Sequence, residues 1–344
     1  MILVTGSATV NALGGDDTIC VAGGLVDAGA GNDSVTVSFS GAVGQKAILG
    51  PGVNHYTSTN QVQDDVVSGV ATEPDLDVIN GGGGAYGPVD GVTLLLAPGS
   101  HPQVDKAYLV VRGVPGDSAA WDVQLPGTVS RDGVPMGTFT NISSTSNISS
   151  ITVDLGPSAS VSVHGTPGND TVRLGAGRID ADLGRGKDTA NFDRDLTVPA
   201  AGRLDFGRGH DTLNVDSSGK VSVDLRKGRM GKLGLAGVEE SVISAKRVTF
   251  QGGPGRDRIL TIACLSVLRG GPGNDYIAHA GEDDRQTSPS CDSFRFRIFG
   301  QGGNDELYGW SGRDLIDGGH GHDSANGRYD VDVCRAEVEK GCER

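Results

Sequence analysis

Glycines and aspartates recur along this chain in an order that suits the binding of a hard cation. In Gly300–Asn326 three nonapeptides follow one another without a gap, GQGGNDELY, GWSGRDLID and GGHGHDSAN, which puts Asp305, Asp314 and Asp323 nine residues apart. The same pattern, Gly-Gly-x-Gly-x-Asp-x-U-x with U aliphatic, aligns ten aspartates: Asp17, Asp33, Asp170, Asp188, Asp211, Asp257, Asp275, Asp305, Asp314 and Asp323. A carboxylate supplies oxygen ligands, and glycine lets the backbone turn its carbonyls inward without a Cβ in the way. Calcium takes six to eight oxygens at about 2.3–2.6 Å, more than one aspartate can offer, so two such loops must come together.

The elements that would bring them together are short strands. Two residues after each aspartate stands Ile19, Val35, Val172, Ala190, Leu213, Ile259, Ile277, Leu307, Ile316 or Ala325, every one apolar, and the residue between is mostly polar. That alternation predicts a half-buried strand after every loop. If a nonapeptide is a half-turn, loops two nonapeptides apart stack on one side. This pairs Asp170 with Asp188, Asp257 with Asp275, Asp305 with Asp323, and Asp314 with Asp332 of the weaker copy GRYDVDVCR. Asp17 and Asp33 fall slightly short of that interval, and the intervals 188–211 and 275–305 exceed it, so insertions are expected to interrupt the array there. Val161–Val163, Arg178–Leu183, Val221–Leu225 and Val248–Phe250 read as further rungs without loops. The expected fold is all-β, a parallel β-roll or β-helix solenoid. Its expected parts are an N-terminal segment 1–84, an irregular β-rich insert 85–150 marked by its prolines, and a calcium-binding segment 151–344 with a disulfide-closed end. No amphipathic helix is evident.

GGPGRDRIL (252–260), GGPGNDYIA (270–278) and GGHGHDSAN (318–326) resemble the repeats of haemolysin-type, or repeats-in-toxin, calcium-binding proteins. The resemblance covers residues 11–35 and 165–334 and implies a parallel β-roll with calcium between successive turns. Carried over position by position, it implies carboxylate ligands at Asp170, Asp188, Asp257, Asp275, Asp305, Asp314 and Asp323. It implies carbonyl ligands at Gly168, Gly186, Gly255, Gly273, Gly303, Gly312 and Gly321. Asp17, Asp33, Asp211 and Asp332 rank second. Thr166, Leu183 and Phe206 stand where the family has glycine. The chain also closes on Cys334 and Cys342 soon after the repeats rather than on the long export segment of many members, which favours ordinary secretion with disulfide formation.

Composition agrees with thin layers rather than a large core: glycine is 56 of 344 residues, aromatics are 5% and hydrophobics 36%. A formal net charge of −14, from 43 acidic and 29 basic residues, argues against a nucleic-acid partner. No apolar run is long enough to span a membrane. Cys264 with Cys291 and Cys334 with Cys342 are expected to form local bridges, each contributing roughly 2–3 kcal/mol. Cys20 is left over, and with no export signal ahead of Met1 the expectation is a lost N-terminal stretch carrying that signal and the mate of Cys20.

Other motifs carry less. His320 and His322 fall at variable loop positions, Gly184–Lys187 lacks the Ser or Thr and the helix of a phosphate loop, and Arg226, Lys227, Arg229 and Lys232 form a basic cluster that reads as a solvated loop. Asn141 and Asn147 fit the glycosylation sequon. No catalytic constellation can be placed. The expected function is calcium binding in a secreted or surface protein that folds on binding the ion, without catalysis. Two alternatives stand beside it: a polysaccharide-processing enzyme with structural calcium, hinted at by Arg226–Lys232, and an adhesin whose insert contacts a cell-surface or glycan partner.

Overall fold

The computed structural model describes residues 1–5, 8–38, 45–58, 64–69, 76–80, 90–95, 102–105, 107–112, 120–124, 128–140, 148–154, 159–193, 201–280, 291 and 293–343. The protein is all-β, and among the described residues the only helical turn is a 3-10 turn at Leu225–Lys227. Asn141 and Asn147 lie outside the described residues. The chain divides into two compact units, Met1–Leu183 and Gly184–Arg344.

In the first unit, strands pair in parallel in two interleaved runs. One passes through Ile2–Val4, Thr18–Val21, Ser34–Val37, His55–Ser58 and Val78–Asn80. The other passes through Ala8–Asn11, Gly24–Asp27, Gln45–Ile48, Asp65–Ser68 and Asp90–Leu95. The stretch 85–150 adds Ala107–Arg112 in parallel register with Asp90–Leu95. It also holds an antiparallel set, Ala120–Gln124, Thr128–Arg131 and Val134–Thr140.

The second unit repeats the arrangement with longer strands. Glu240–Gln251 and Arg258–Pro272 lie side by side, Glu240 opposite Arg258 and Phe250 opposite Leu268, an offset of two nonapeptides. From their first halves one run continues through Tyr276–His279, Glu306–Tyr308, Ser324–Asn326 and Val338–Lys340. From their second halves the other continues through Arg295–Gly302, Leu315–His320 and Val333–Arg335. The four stretches read as loop-free rungs fall on the strands Ser160–His164, Arg178–Asp182, Lys220–Asp224 and Glu240–Gln251, except that Leu183 lies just past its strand and Leu225 begins the 3-10 turn.

The period-two pattern decides the inside. All ten aliphatic residues placed two after an aspartate are buried, from Ile19 to Ala325. Ile259, Ile277, Leu307 and Ala325 oppose one another on successive strands, so each layer buries a small apolar side chain against its neighbours. A fully buried aliphatic residue contributes about 1.5–3 kcal/mol, which is why thin layers need many repeats. Cys264–Cys291 and Cys334–Cys342 are bridged as expected, and Cys20 is the free cysteine.

Candidate metal centre

The aspartates of the loops point inward, and their carboxylates form a ladder. The Asp257 N–H donates to Asp275 Oδ1 at 2.8 Å, the Asp275 N–H to Asp305 Oδ1 at 2.8 Å, and the Asp305 N–H to Asp323 Oδ1 at 2.9 Å. On the opposite loops the Asp314 N–H donates to Asp332 Oδ1 at 2.8 Å. Each carboxylate thus closes an amide of the loop before it, which makes loop stacking and aspartate burial one event. The expected partners 257/275, 305/323 and 314/332, each two nonapeptides apart, are brought together. So are residues across the longer intervals: the Asp188 N–H reaches Asp211 Oδ1, 23 residues away, and Asp275 meets Asp305, 30 residues away. The expected interruptions therefore do not break the column. Parallel register is fixed by strand pairing, and the additional chain can leave between strands without moving the loops. Asp170 is buried at the end of the first unit, its Oδ2 accepting the Thr166 N–H, and Asp188 is buried in the second.

The second carboxylate oxygens tell where a cation fits. The Oδ2 atoms of Asp33, Asp211, Asp275, Asp305, Asp323 and Asp332 are buried with no hydrogen-bond partner. A buried carboxylate oxygen without a donor costs free energy that a cation would offset. By contrast, Asp257 Oδ2 accepts the Gly253 N–H and Asp314 Oδ2 accepts the Trp310 N–H, so those two are already bonded within their own loops. Burial, aided by neighbouring carboxylates, pushes the Asp275 carboxyl up to about 7. Burial likewise raises Asp257, Asp305 and Asp332 to about 6, and it raises Asp33, Asp211 and Asp314. Among the described residues no three His, Cys, Asp or Glu side chains converge on one point. An ion here would take carboxylate oxygens from stacked loops and complete its shell with backbone carbonyls, the oxygen-only set that calcium favours.

Two positions of the repeat must be glycine for this to work. A Cβ on Gly270, Gly300 or Gly318 would lie 2.2, 2.2 or 2.4 Å from the Oδ2 of that loop's own aspartate. At the later position the carbonyls stack: a Cβ on Gly273 would lie 2.2 Å from the Gly255 oxygen, on Gly303 1.6 Å from the Gly273 oxygen, and on Gly321 1.7 Å from the Gly303 oxygen. Gly186 pairs with Gly209 in the same manner. Gly312 donates its N–H to Asp330 Oδ2 at 2.8 Å, and Gly168 to Thr166 Oγ1 at 3.0 Å.

Several members of the ladder escape the aspartate pattern. Glu239 Oε2 accepts the Asp211 N–H, Glu337 Oε2 accepts the Asp323 N–H, and Glu343 Oε2 accepts the Asp332 N–H. Glu239 was findable, since Gly234–Val242 reads GLAGVEESV and stands two nonapeptides before the copy that holds Asp257. In the first unit the Asp17 N–H reaches Asp33 Oδ1, the Asp33 N–H reaches Asn54 Oδ1 and the Asn54 N–H reaches Asp77 Oδ1. Asn54 sits in Leu49–Thr57, LGPGVNHYT, a copy with asparagine in place of aspartate. Asp64 and Asp77 also accept hydroxyls, Asp64 from Tyr56 and Ser58 and Asp77 from Ser68.

The discounted motifs hold no such arrangement. His320 and His322 are exposed, as are Arg226, Lys227, Arg229 and Lys232. Asp224 caps the 3-10 turn and lies 3.5 Å from Lys227 Nζ. Among the described residues no helix is long and apolar enough to cross a membrane.

Set against curated proteins, the chain has no match. Residues 162–190, 266–285 and 297–325 match the family model described as the RTX calcium-binding nonapeptide repeat, in four copies, so the chain carries repeats of the haemolysin-type calcium-binding family.

Proposed function

We propose that the protein is a non-catalytic calcium-binding β-roll, secreted or surface-borne, whose second unit is ordered by the ion. The observation that carries this reading is the set of buried, partnerless Oδ2 atoms at Asp211, Asp275, Asp305, Asp323 and Asp332, of which Asp275, Asp305 and Asp323 lie in residues that the calcium-binding repeat model matches. The parallel register of rungs two nonapeptides apart supports a coil in which successive loops share ions. The ligand set we assign is Asp170, Asp188, Asp257, Asp275, Asp305, Asp314, Asp323 and Asp332, with Asp211, Asp17 and Asp33, and the carbonyls of Gly168, Gly186, Gly255, Gly273, Gly303, Gly312 and Gly321. Asp33, Asp211, Asp275, Asp305, Asp323 and Asp332 lead that set because each retains an oxygen for the ion. Calcium supplies the positive charge that these buried carboxylates lack. The protein's own part is to hold the loops in register, exclude water from the carboxylates and aim carbonyls between them. Extracellular modules bind calcium at about 10⁻⁴–10⁻³ M, so a chain of this kind orders on export rather than before it. Two disulfides in the second unit suit the same compartment. Thermal unfolding in millimolar calcium, in magnesium and in chelator tests the reading. Calcium should raise the melting temperature by several degrees over both controls, and equal temperatures in all three would overturn it.

A further inference from the structure

Four cations on one outward sheet face of the second unit, and a fifth in the bend beside it, line up in this acidic chain. In the run built from the second halves of the long strands, Lys220 lies opposite Arg247, Arg247 opposite Leu265, and Leu265 opposite Arg295. Arg297 lies opposite Leu315 on the next strand, which sets Arg313 beside Arg295. Lys220, Arg247, Arg295, Arg297 and Arg313 are all exposed. None has a carboxylate partner among the described residues, although the chain carries a formal net charge of −14. Of the acids near the face, Asp224 lies 3.5 Å from Lys227, Asp317 lies 3.7 Å from Arg335, and Asp330 is held by the Ser311 hydroxyl and the Gly312 N–H. Like charges directly opposite on paired strands are destabilising. Lys220 and Arg247 are such a pair, and Arg313, in the bend ahead of Leu315–His320, adds its charge next to the Arg295 strand, so the face lacks its counter-anion.

We propose that this face binds a linear carboxylated polysaccharide, a polyuronate, laid across the strands. Neighbouring strands lie about 4.8 Å apart, so from the Lys220 strand to the Val333–Arg335 strand the face spans roughly 24 Å and offers a cation at nearly every step. Arginine fits this ligand better than lysine would, because its planar fork takes a carboxylate with two parallel hydrogen bonds. Between Arg295 and Arg313 lies an open depression of about 560 Å³ lined also by Leu265, Ser293, Phe294 and Ser311. It joins charge, hydroxyls and an apolar floor, as a sugar acid requires. Ser311 Oγ donates to Asp330 Oδ2 at 3.1 Å, so the Ser293 hydroxyl and the two guanidinium groups are the contacts left for a ligand. Beside Arg297, Leu315 is 38% and Val333 55% exposed, a surface for the C–H face of a sugar ring. A nucleic-acid strand would need open aromatic platforms for its bases. Of the rings here, Phe299 is covered by the Arg269 guanidinium at 5.3 Å, and Phe294 packs edge-on against His279 at 6.4 Å.

This proposal rests on the reading above, since the face lies in the unit that calcium orders and Arg313 stands between Gly312 and Asp314; the calcium response measured on the same samples distinguishes failure of that reading from failure of this one. The test is titration calorimetry of the full chain in about 1 mM calcium with short oligogalacturonates, and with heparin fragments, polyglutamate, single-stranded DNA and a neutral glucan as the other ligands. The uronate oligomers should bind saturably and more tightly than the rest, weakening as salt is raised. Arg295→Gln with Arg297→Gln should weaken them about tenfold or more, at an unchanged melting temperature, whereas Arg258→Gln in the other run of strands should not. If the double glutamine variant does not fold, Arg295→Lys with Arg297→Lys should still show a loss, since lysine cannot form the bidentate pair. Absence of saturable uronate binding, tighter binding of any other ligand, or an equal effect of Arg258→Gln would overturn the proposal.

Discussion

Replacing Asp275 by Asn should stabilise the protein without calcium and weaken its response to calcium. The Asp275 carboxyl is 2% exposed, accepts the Asp257 N–H through Oδ1 and has no partner at Oδ2. Its titration, at 3.8 in an open chain, is pushed up to about 7, first by burial and then by Asp257 and Asp305. Ionising it above that pH costs the folded state ~1.4 kcal/mol for every pH unit between the two titrations, an upper bound of ~4 kcal/mol at pH 8. Local relaxation and water reaching the loop bring this to about 2 kcal/mol. Asparagine removes the charge and keeps the Oδ1 acceptor. The chain already uses that solution at Asn54, whose Oδ1 accepts the Asp33 N–H while Nδ2 donates to the Gly50 carbonyl at 3.3 Å. Gly271 holds in this loop the place that Gly50 holds before Asn54.

The sign of the pH dependence follows. A carboxyl whose folded titration is raised contributes stability that is complete below the open-chain value and is lost as pH rises through about 7. In chelator, Asp275→Asn should therefore melt several degrees above the parent at pH 8, and the difference should shrink to nothing between pH 7 and about pH 4. In saturating calcium the order should reverse, because the parent holds an ion that the variant does not. The assay is thermal unfolding by circular dichroism at pH 8, 6.5 and 5, with and without calcium. A variant less stable than the parent in chelator at pH 8, or an advantage that ignores pH, would refute the reasoning.

Gly303→Ala should lose about 2–4 kcal/mol and reduce calcium binding, since its Cβ would lie 1.6 Å from the Gly273 oxygen at a backbone φ of 123°; denaturant unfolding with a calcium titration checks both. Glu239→Gln should be mild, within about 1 kcal/mol, because the amide oxygen can still accept the Asp211 N–H; a loss of the same size as that of Gly303→Ala in the same denaturant series would contradict this. Reduction of Cys264–Cys291 and Cys334–Cys342 should cost roughly 2–4 kcal/mol each, read as a lower denaturant midpoint in dithiothreitol.

The inward half of this fold was legible because it has a period. Two residues past each aspartate the chain must face the core, and Ile259, Ile277, Leu307 and Ile316 do. Loop pairing was legible only where the chain spacing equals the structural repeat. Asp275 and Asp305 sit next to each other through strand register across 30 residues, which a count along the sequence reads as a gap. The ladder itself asks for an acceptor oxygen rather than an aspartate, so Asn54, Glu239, Glu337 and Glu343 fill it without matching the motif. The basic face was invisible for a related reason. Lys220, Arg247 and Arg295 belong to different strands and Arg313 to the bend before a fourth, and only pairing brings them into one row.

Calcium stoichiometry tests the central claim most directly. Titration calorimetry at pH 7.5 should show saturable binding of on the order of six ions per chain at sub-millimolar to millimolar affinity, one for each partnerless Oδ2 at Asp33, Asp211, Asp275, Asp305, Asp323 and Asp332. Fewer than one ion per chain at about 10 mM calcium would contradict it.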